Sequence, residues 1–416
     1  MKFGGVLMDT ASGIDRVVNL VKKHSDHSLV VVVSALGKTT NKLENLYQLS
    51  VDGKDVEIDF LAMKQYHLDI AMEIMPQLPP QLSACFDTLF DELWDSLVTK
   101  YDDRYEAYDS IVSLGEDMSS CLLYHYLRYL DIKVKLISAK NLIVTDSNFT
   151  DASIDWKHTL KTINSRIVPA LEKNEIVLTQ GFIGADKSGR TTTLGREGSD
   201  FTAAILGNLL DADEVTIWKN VPGLMNSDPA RFANSVKLNS LSYHEAIELA
   251  YYGASIIHPK TIQPLKQKNI PLYVRPYYDS SLDATSITND ITNDGALPSI
   301  IMKDNQVLLS INTLNLSFIE EENLVHIFDA FSKNKIHINL MQNSAVSFSV
   351  CFNEDLVKLE ALLLDLKEKF ILKYNTGLQL ITIRHYNDKL IDELIGSKKV
   401  YLVQKSRVTV QLLVKS

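Results

Sequence analysis

Through the first two thirds of the chain, short continuous apolar runs alternate with stretches in which apolar residues recur at helical spacing. Leu29–Val33, Val134–Ile137, Ile176–Leu178, Glu214–Trp218 and Leu272–Val274 are runs of the kind that form parallel strands buried on both faces. Ile14, Val17, Val18 and Val21 mark one face of a helix, with Ser12 and Asp15 spaced as a capping box at its start. Met118–Leu130, Phe201–Leu210 and Ser242–Tyr251 predict further helices, and residues 253–260 lead into another. Strand, Gly-rich loop, helix, strand, polar loop is the rhythm of an α/β fold, which binds ligands beyond the carboxyl ends of its strands. Lys2, Gly4, Gly5, Ser34 and Thr40 would gather at that edge. Residues 55–110 break the rhythm: they are long, helix-favouring and interrupted at Pro76 and Pro79-Pro80, and they predict a helical insertion with its aromatics in a core.

Asp279–Pro298 is rich in Ser, Thr, Asn and Asp and reads as a linker. Beyond it the pattern changes. Val307–Ile311, Ile336–Leu340 and Val346–Phe352 predict strands, with helices carried by Leu324, Ile327, Phe328 and Phe331 and by Asp355–Lys369. An echo follows in strand Leu378–Ile383, helix Asp388–Leu394 and strands Val400–Gln404 and Val408–Val414. Two β-α-β-β units in tandem over 299–416 suggest paired regulatory modules; a plain dimerisation domain fits the same pattern.

The 416 residues suffice for two or three domains. A formal charge of −10 argues against nucleic acid or an anionic membrane as partner, so an anionic substrate would need locally gathered Lys and Arg. Cys85, Cys121 and Cys351 are scattered, with neither metal-ligand spacing nor a disulfide framework. With no apolar signal core at the start and no run long enough to span a bilayer, a reducing cytoplasm is the expected compartment.

The chemistry centres on Gly189–Asp200, read as Gly-Arg-Thr-Thr-Thr-Leu-Gly-Arg-Glu-Gly-Ser-Asp. Three β-branched threonines favour an extended hairpin, and the glycines let the chain turn into a helix with Ser199 as the expected N-cap. A helix N-terminus suits a phosphate or carboxylate, and Arg196 can grip a carboxylate with two parallel hydrogen bonds. Asp200 beside an anion site calls for Mg²⁺ or another cation to resolve the charge conflict. Taken alone, the stretch also fits a solvated surface hairpin. Gly184–Thr191 approaches a phosphate-binding P-loop, but Arg190 stands where Lys is required and threonines follow where a helix should. His258 before Pro259 has no Ser or Cys motif to partner it and reads as structural.

These motifs occur in a fixed set: Lys2-Phe-Gly-Gly5, Ser34-Ala with Thr40-Asn41, Gly115-Glu116, Gln180-Gly-Phe-Ile-Gly184, Thr-Thr-Thr-Leu-Gly-Arg-x-Gly-Ser-Asp200 and Trp218-x-x-Val-Pro-Gly223. Together they resemble the aspartate kinases of the amino-acid kinase family, with C-terminal ACT domains, and the resemblance covers essentially the whole chain. It implies an α/β/α sandwich around a mainly parallel sheet over residues 1–290, ACT-like α+β modules over 299–416, and a homodimer formed through them. It implies transfer of the γ-phosphoryl of ATP, with Mg²⁺, to the β-carboxylate of L-aspartate, the first step toward lysine, threonine and methionine. Lys2 and Asp200 would be catalytic. Ser34, Thr40, Glu116, Phe182, Arg196 and Ser199 would line the aspartate site, with Arg196 on the α-carboxylate and Glu116 on the ammonium. Lys2, Phe3, Gly4, Gly5, Lys219, Asn220, Met225, Arg231 and Lys260 would border the nucleotide.

The chain departs from the family pattern in places. Only Met1 precedes the Lys-Phe-Gly-Gly motif, and Val6-Leu7 replace the usual Thr/Ala-Ser pair. Asn220 stands for an Asp, Ala230 for an ATP-contacting Arg with Arg231 adjacent, and Ser255 for a Lys with Lys260 nearby. At the effector segment of lysine-regulated relatives, Asn339 takes an Asp position and Ala345 a Glu position, with Ser344 between. An amino-acid effector, lysine or threonine, is expected there, with lysine held weakly. Two alternatives stay open: a catalytically weak paralogue serving as an amino-acid-binding regulatory subunit, and another amino-acid kinase acting on glutamate, carbamate or a nucleoside monophosphate.

Overall fold

A computed structural model describes residues 1–254, 257–315 and 317–415. Its contacts separate into two compact units. The first comprises Met1–Leu224, Lys237–Ile247 and the segment ending at Thr292; the second comprises Met225–Val236, the segment beginning at Glu248, and the chain from Asn293.

The first unit is built on an eight-stranded sheet in the order Val134–Leu136, Ile176–Gln180, Val30–Val33, Lys2–Phe3, Val215–Lys219, Leu272–Pro276, Thr285–Thr288, Ser240–Ser242. The first six strands run parallel, and Thr285–Thr288 pairs antiparallel with Leu272–Pro276. That strand lies inside the stretch expected to be a linker: its Thr285 and Ile287 are fully buried, and period-two burial outweighs its polar composition. Lys2 lies in mid-sheet, opposite Val32 and Ile217. Both faces are covered. Val31 and Val33 pack in one cluster with Met118 and Leu122 of the helix Leu114–Tyr129, while Val32 faces Gly181 and the helix Gly198–Leu209. This is the expected α/β/α sandwich. A small second sheet, Val144–Thr145, Ile183–Asp186 and Thr191–Thr193, makes the threonine run an extended hairpin.

The helical insertion is present as Glu57–Ile74, Pro80–Val98 and Arg104–Val112, with Pro80 in the first turn of its helix, where a missing N–H costs nothing. One expected helix start differs. The first helix, Ala11–Lys23, is capped by Thr10, whose hydroxyl accepts from the Gly13 N–H, so the Ser12/Asp15 box is not used. The polar loop after Val33 ends at the helix Thr39–Val51, which takes Thr40 into its first turn. The cysteines also differ from expectation: Cys85 and Cys121 are 36 residues apart yet joined as a disulfide, because the helices Pro80–Val98 and Leu114–Tyr129 pack side by side. No helix among the described residues is long and apolar enough to cross a membrane.

The second unit carries an antiparallel six-stranded sheet in the order Ile338–Asn343, Ser347–Asn353, Ser299–Thr313, Phe370–Arg384, Thr409–Lys415, Lys399–Lys405. The two expected repeats share this sheet rather than closing separately. Ser299–Thr313 and Phe370–Arg384, each 15 residues long, pair along most of their length and fuse the repeats at their centre. Helices Glu321–Lys333 and Leu356–Leu366 bury Ile327, Phe331, Leu359 and Leu362 against one half, and Asp388–Ile395 buries Leu394 against the other.

Candidate active site

The parallel strands end together, and the expected residues of the first unit collect at that edge. Lys2 and Asp200 are both buried, with the Lys2 ammonium 2.5 Å from one Asp200 oxygen and the Lys219 ammonium 2.9 Å from the other. Each carboxylate oxygen thus faces one ammonium, and because a carboxylate oxygen carries two lone-pair sites each keeps acceptor capacity for a further partner. Burial pushes the Asp200 carboxyl up, but Lys2 and Lys219 outweigh it and hold it below the ordinary carboxylate range. A buried, ionised carboxylate with free lone pairs suits Mg²⁺, which binds through one or two carboxylates plus phosphate oxygens.

The two glycines after Phe3 differ in role. A Cβ on Gly5 would lie 2.2 Å from the Ala35 carbonyl oxygen, so Gly5 serves backbone packing rather than ligand approach. A Cβ on Gly4 would meet only the Lys2 ammonium, at 3.7 Å, which leaves open space there beside the cation.

Ser34 and Ser199 bring the strand end and the helix together, their hydroxyls 2.8 Å apart. Ser199 is therefore not the N-cap. The helix Gly198–Leu209 starts after Glu197, which takes a left-handed conformation at φ 55°. Phe182 is also left-handed, at φ 70°, and its N–H donates to the Thr202 hydroxyl. Two non-glycine residues in this sparsely populated region, on facing segments of one pocket, are strain of the kind that collects at functional sites. Arg196 lies between Gly195 and Glu197, exposed at the pocket mouth.

Glu116 lies in the first turn of the helix Leu114–Tyr129, 3 % exposed. One of its oxygens accepts from the Ala35 N–H at 3.3 Å, and the other has no partner. Burial pushes its carboxyl up to about 8, an effect the Ala35 N–H only partly opposes. A cationic group entering the pocket would restore the charge. The folded state keeps this proton up to about pH 8, whereas the unfolded chain loses it near the ordinary value of 4.5. Folding stability should therefore fall as pH rises through that window. Urea melts at pH 5.5, 7 and 8.5 should show this slope in the wild type and a flatter one in Glu116→Gln; equal slopes would remove Glu116 as its source.

Ser34, Thr40, Glu116, Phe182, Arg196 and Ser199 line one cavity of about 710 Å³. Its far wall was not foreseen. Arg104, Tyr105 and Tyr108 come from the helical insertion, whose aromatics were expected only in a core, and the Tyr108 hydroxyl donates to Glu44 at 2.6 Å. Asp109 was also missed. It is fully buried and accepts from the Thr193 hydroxyl at 2.7 Å and from the N–H groups of Thr193 and Thr150 at 2.8 and 2.9 Å, fixing the hairpin that leads into Arg196. An acid in a helix among many acids carries no sequence signal for such a role.

Other expected residues are placed differently. Lys260 pairs with Asp151, which borders Gly195, so it lies against the Arg196 loop. Asn220 is exposed after Lys219. Met225 and Arg231 belong to the second unit, where Arg231 pairs with Asp304 and Asp228. Ser255 lies outside the described residues. His258 caps the helix Pro259–Lys268, its ring accepting from the Lys260 N–H, a structural role as expected. Asn339 has both amide ends engaged: it donates to Gln306 and Asn353 at 2.8 Å and accepts from the Lys303 ammonium at 2.9 Å. Ser344 is exposed and bonds within its own turn to Ser347.

The sequence pattern of the Amino acid kinase family matches residues 1–276. The lysine-sensitive aspartokinase 3 of Escherichia coli is 30% identical over 282 residues, covering 66% of this chain and 62% of that protein. The aspartokinase of Chlamydia trachomatis is 30% identical over 314 residues, covering 74% of this chain and 69% of its own length. The chain spans 62–65% of the length of the first curated relatives it matches. Among solved structures, E. coli aspartokinase III in complex with aspartate and ADP superimposes with a TM-score of 0.83 at 25% identity, covering 99% of this chain and 95% of that one. Motif order, sheet topology and extent of match agree: the chain belongs to the amino acid kinase family and, within it, groups with the aspartokinases.

Proposed function

We propose that this chain transfers the γ-phosphoryl of ATP to the β-carboxylate of L-aspartate, giving 4-phospho-L-aspartate and ADP. The observation that carries the reading is the pairing of two different charge environments at one sheet edge. Lys2, Asp200 and Lys219 form a cation-rich cluster, and Ser34 and Ser199 link it to a pocket containing Glu116 and Arg196. A zwitterionic amino acid needs both an acid and a guanidinium, which disfavours carbamate and nucleoside monophosphates. The similarity to an aspartokinase bound to aspartate and ADP supports the same reading.

In this mechanism Arg196 takes the α-carboxylate in its fork and Glu116, ionised by the incoming charge, takes the ammonium. A β-carboxylate oxygen attacks the γ-phosphorus, the bond from phosphorus to the β,γ-bridging oxygen breaks, and ADP leaves with that electron pair; no proton has to move. Lys2 and Lys219 offset charge on the phosphoryl oxygens as two anions meet. Asp200 would hold Mg²⁺, which when bound shields the phosphates and orients them. The space beside Gly4 admits a phosphate next to the Lys2 ammonium.

The second unit acts as an ACT-like regulatory and dimerising module. Asn339 Oδ1 already accepts from the Lys303 ammonium, whose positive charge opposes an effector's ammonium at the same oxygen, so lysine is held weakly. The test is ADP release with ATP and Mg²⁺, comparing aspartate, glutamate and no acceptor, and repeating the aspartate reaction with lysine, threonine or methionine. Aspartate-dependent release well above glutamate is expected, with weak inhibition by lysine. No aspartate dependence would leave the regulatory-subunit reading, and strong inhibition by micromolar lysine would overturn the reading of Asn339.

A further inference from the structure

Outside this site, three residues with metal-ligand chemistry converge between two helices. Cys85 comes from Pro80–Val98; Cys121 and His125 come from Leu114–Tyr129. Cys121 and His125 are four residues apart and so share one helix face. The two sulfurs and a ring nitrogen of His125 all lie within 4.8 Å of one another. Cys121 is buried, and Cys85 and His125 are half-buried, so the cluster is shielded yet reachable. In this structure the sulfurs are joined to each other. A disulfide accounts for the two cysteines but gives no role to the histidine; a metal ion accounts for all three.

We propose that the reduced chain binds one thiophilic divalent metal ion of the zinc type at Cys85, Cys121 and His125. Zinc lies about 2.3 Å from sulfur and about 2.0–2.1 Å from imidazole nitrogen, and three Cys and His ligands plus one water form a common tetrahedral set. Separations of this size between donors need only side-chain rotation on two packed helices to converge on one ion. The two forms exclude each other, because a disulfide sulfur offers no thiolate. A dithiol reductant supplies two electrons and two protons to open the disulfide. Zn²⁺ then displaces the two thiol protons, and His125 contributes its lone pair with no proton released. The ion would staple the helical insertion to the helix that carries Glu116 in its first turn.

The test uses the full chain, reduced with a dithiol, stripped with a chelator and desalted without oxygen, then titrated with Co²⁺ and with Zn²⁺. The expected result is one Co²⁺ per chain with sulfur-to-cobalt charge-transfer absorption, displaced by Zn²⁺, with about two protons released on Zn²⁺ binding. His125→Gln keeps both thiols and should weaken Zn²⁺ binding by about tenfold or more, in the range seen when metal-site contacts are lost. Cys121→Ser and Cys85→Ser each remove one of the two thiolates, so each should weaken the cobalt–thiolate absorption. Circular dichroism checks the fold of each variant; His125→Gln, at a half-buried position, keeps the test open if a serine variant unfolds. Absence of the charge-transfer band in the reduced wild type, or Zn²⁺ affinity unchanged in His125→Gln, would overturn the proposal and leave the pair as a disulfide alone.

Discussion

Asp200→Asn and Lys2→Met are each expected to lower kcat for aspartate-dependent ADP release by about 10²–10³-fold, the range seen when one preorganised electrostatic contact to a transition state is removed. Both substitutions keep the side chain's approximate size, so the loss reports charge rather than a cavity. Asp200 is ionised because Lys2 and Lys219 flank it, and the three charges act as one unit. The double variant should therefore fall well short of the sum of the single effects. Stability should separate the two. Lys2→Met leaves Asp200 with Lys219, whereas Asp200→Asn leaves the buried Lys2 ammonium without a counter-ion, a loss of about 3–5 kcal/mol by the general cost of orphaning a buried charge. Steady-state kinetics alongside urea melts would check both. Wild-type kcat in either folded variant, or fully additive losses, would remove the cluster from the chemistry.

The parts of this molecule legible in its sequence are those where one residue type has one reason to be present. The valines of Val30–Val33 can only be a buried strand, and threonines 191–193 can only be extended; both are so. Lys2, Glu116, Arg196 and Asp200 stand out as candidates because the motif residues around them are unusual in combination, and the structure places Lys2 against Asp200 and Glu116 and Arg196 in one cavity. What stayed hidden depends on contacts between distant segments. Thr285–Thr288 looks polar and becomes a strand only because a neighbouring strand buries alternate residues. Ser199 has the chemistry of an N-cap but finds Ser34 across the sheet edge instead. Cys85 and Cys121 meet through helix packing that no spacing rule encodes. Tyr108 and Asp109 are adjacent on one helix, yet one faces the cavity and the other locks the hairpin. Helical periodicity predicts the faces without saying which neighbour each will meet.

Arg196→Ala should raise KM for aspartate by about 30-fold or more while leaving KM for ATP within a few-fold of wild type. The residue is exposed, so its substitution should barely change stability; the cost appears only when substrate covers the pocket and a desolvated carboxylate is left unpaired. Truncating one partner of such a pair costs about 2–5 kcal/mol, and each 1.4 kcal/mol is about tenfold in affinity. The guanidinium is also presented in a set direction. Gly195 at φ 75° and Glu197 at φ 55° hold the turn on either side, and Asp109 fixes Thr193 just before it. Arg196→Lys keeps the charge but replaces a planar fork with a mobile point charge, so it should recover only a minor part of the loss. Initial rates over an aspartate series at saturating ATP would measure both variants. If Lys restores wild-type KM, the contact is a simple charge and the bidentate reading is wrong; if Ala itself behaves as wild type, Arg196 does not bind the substrate.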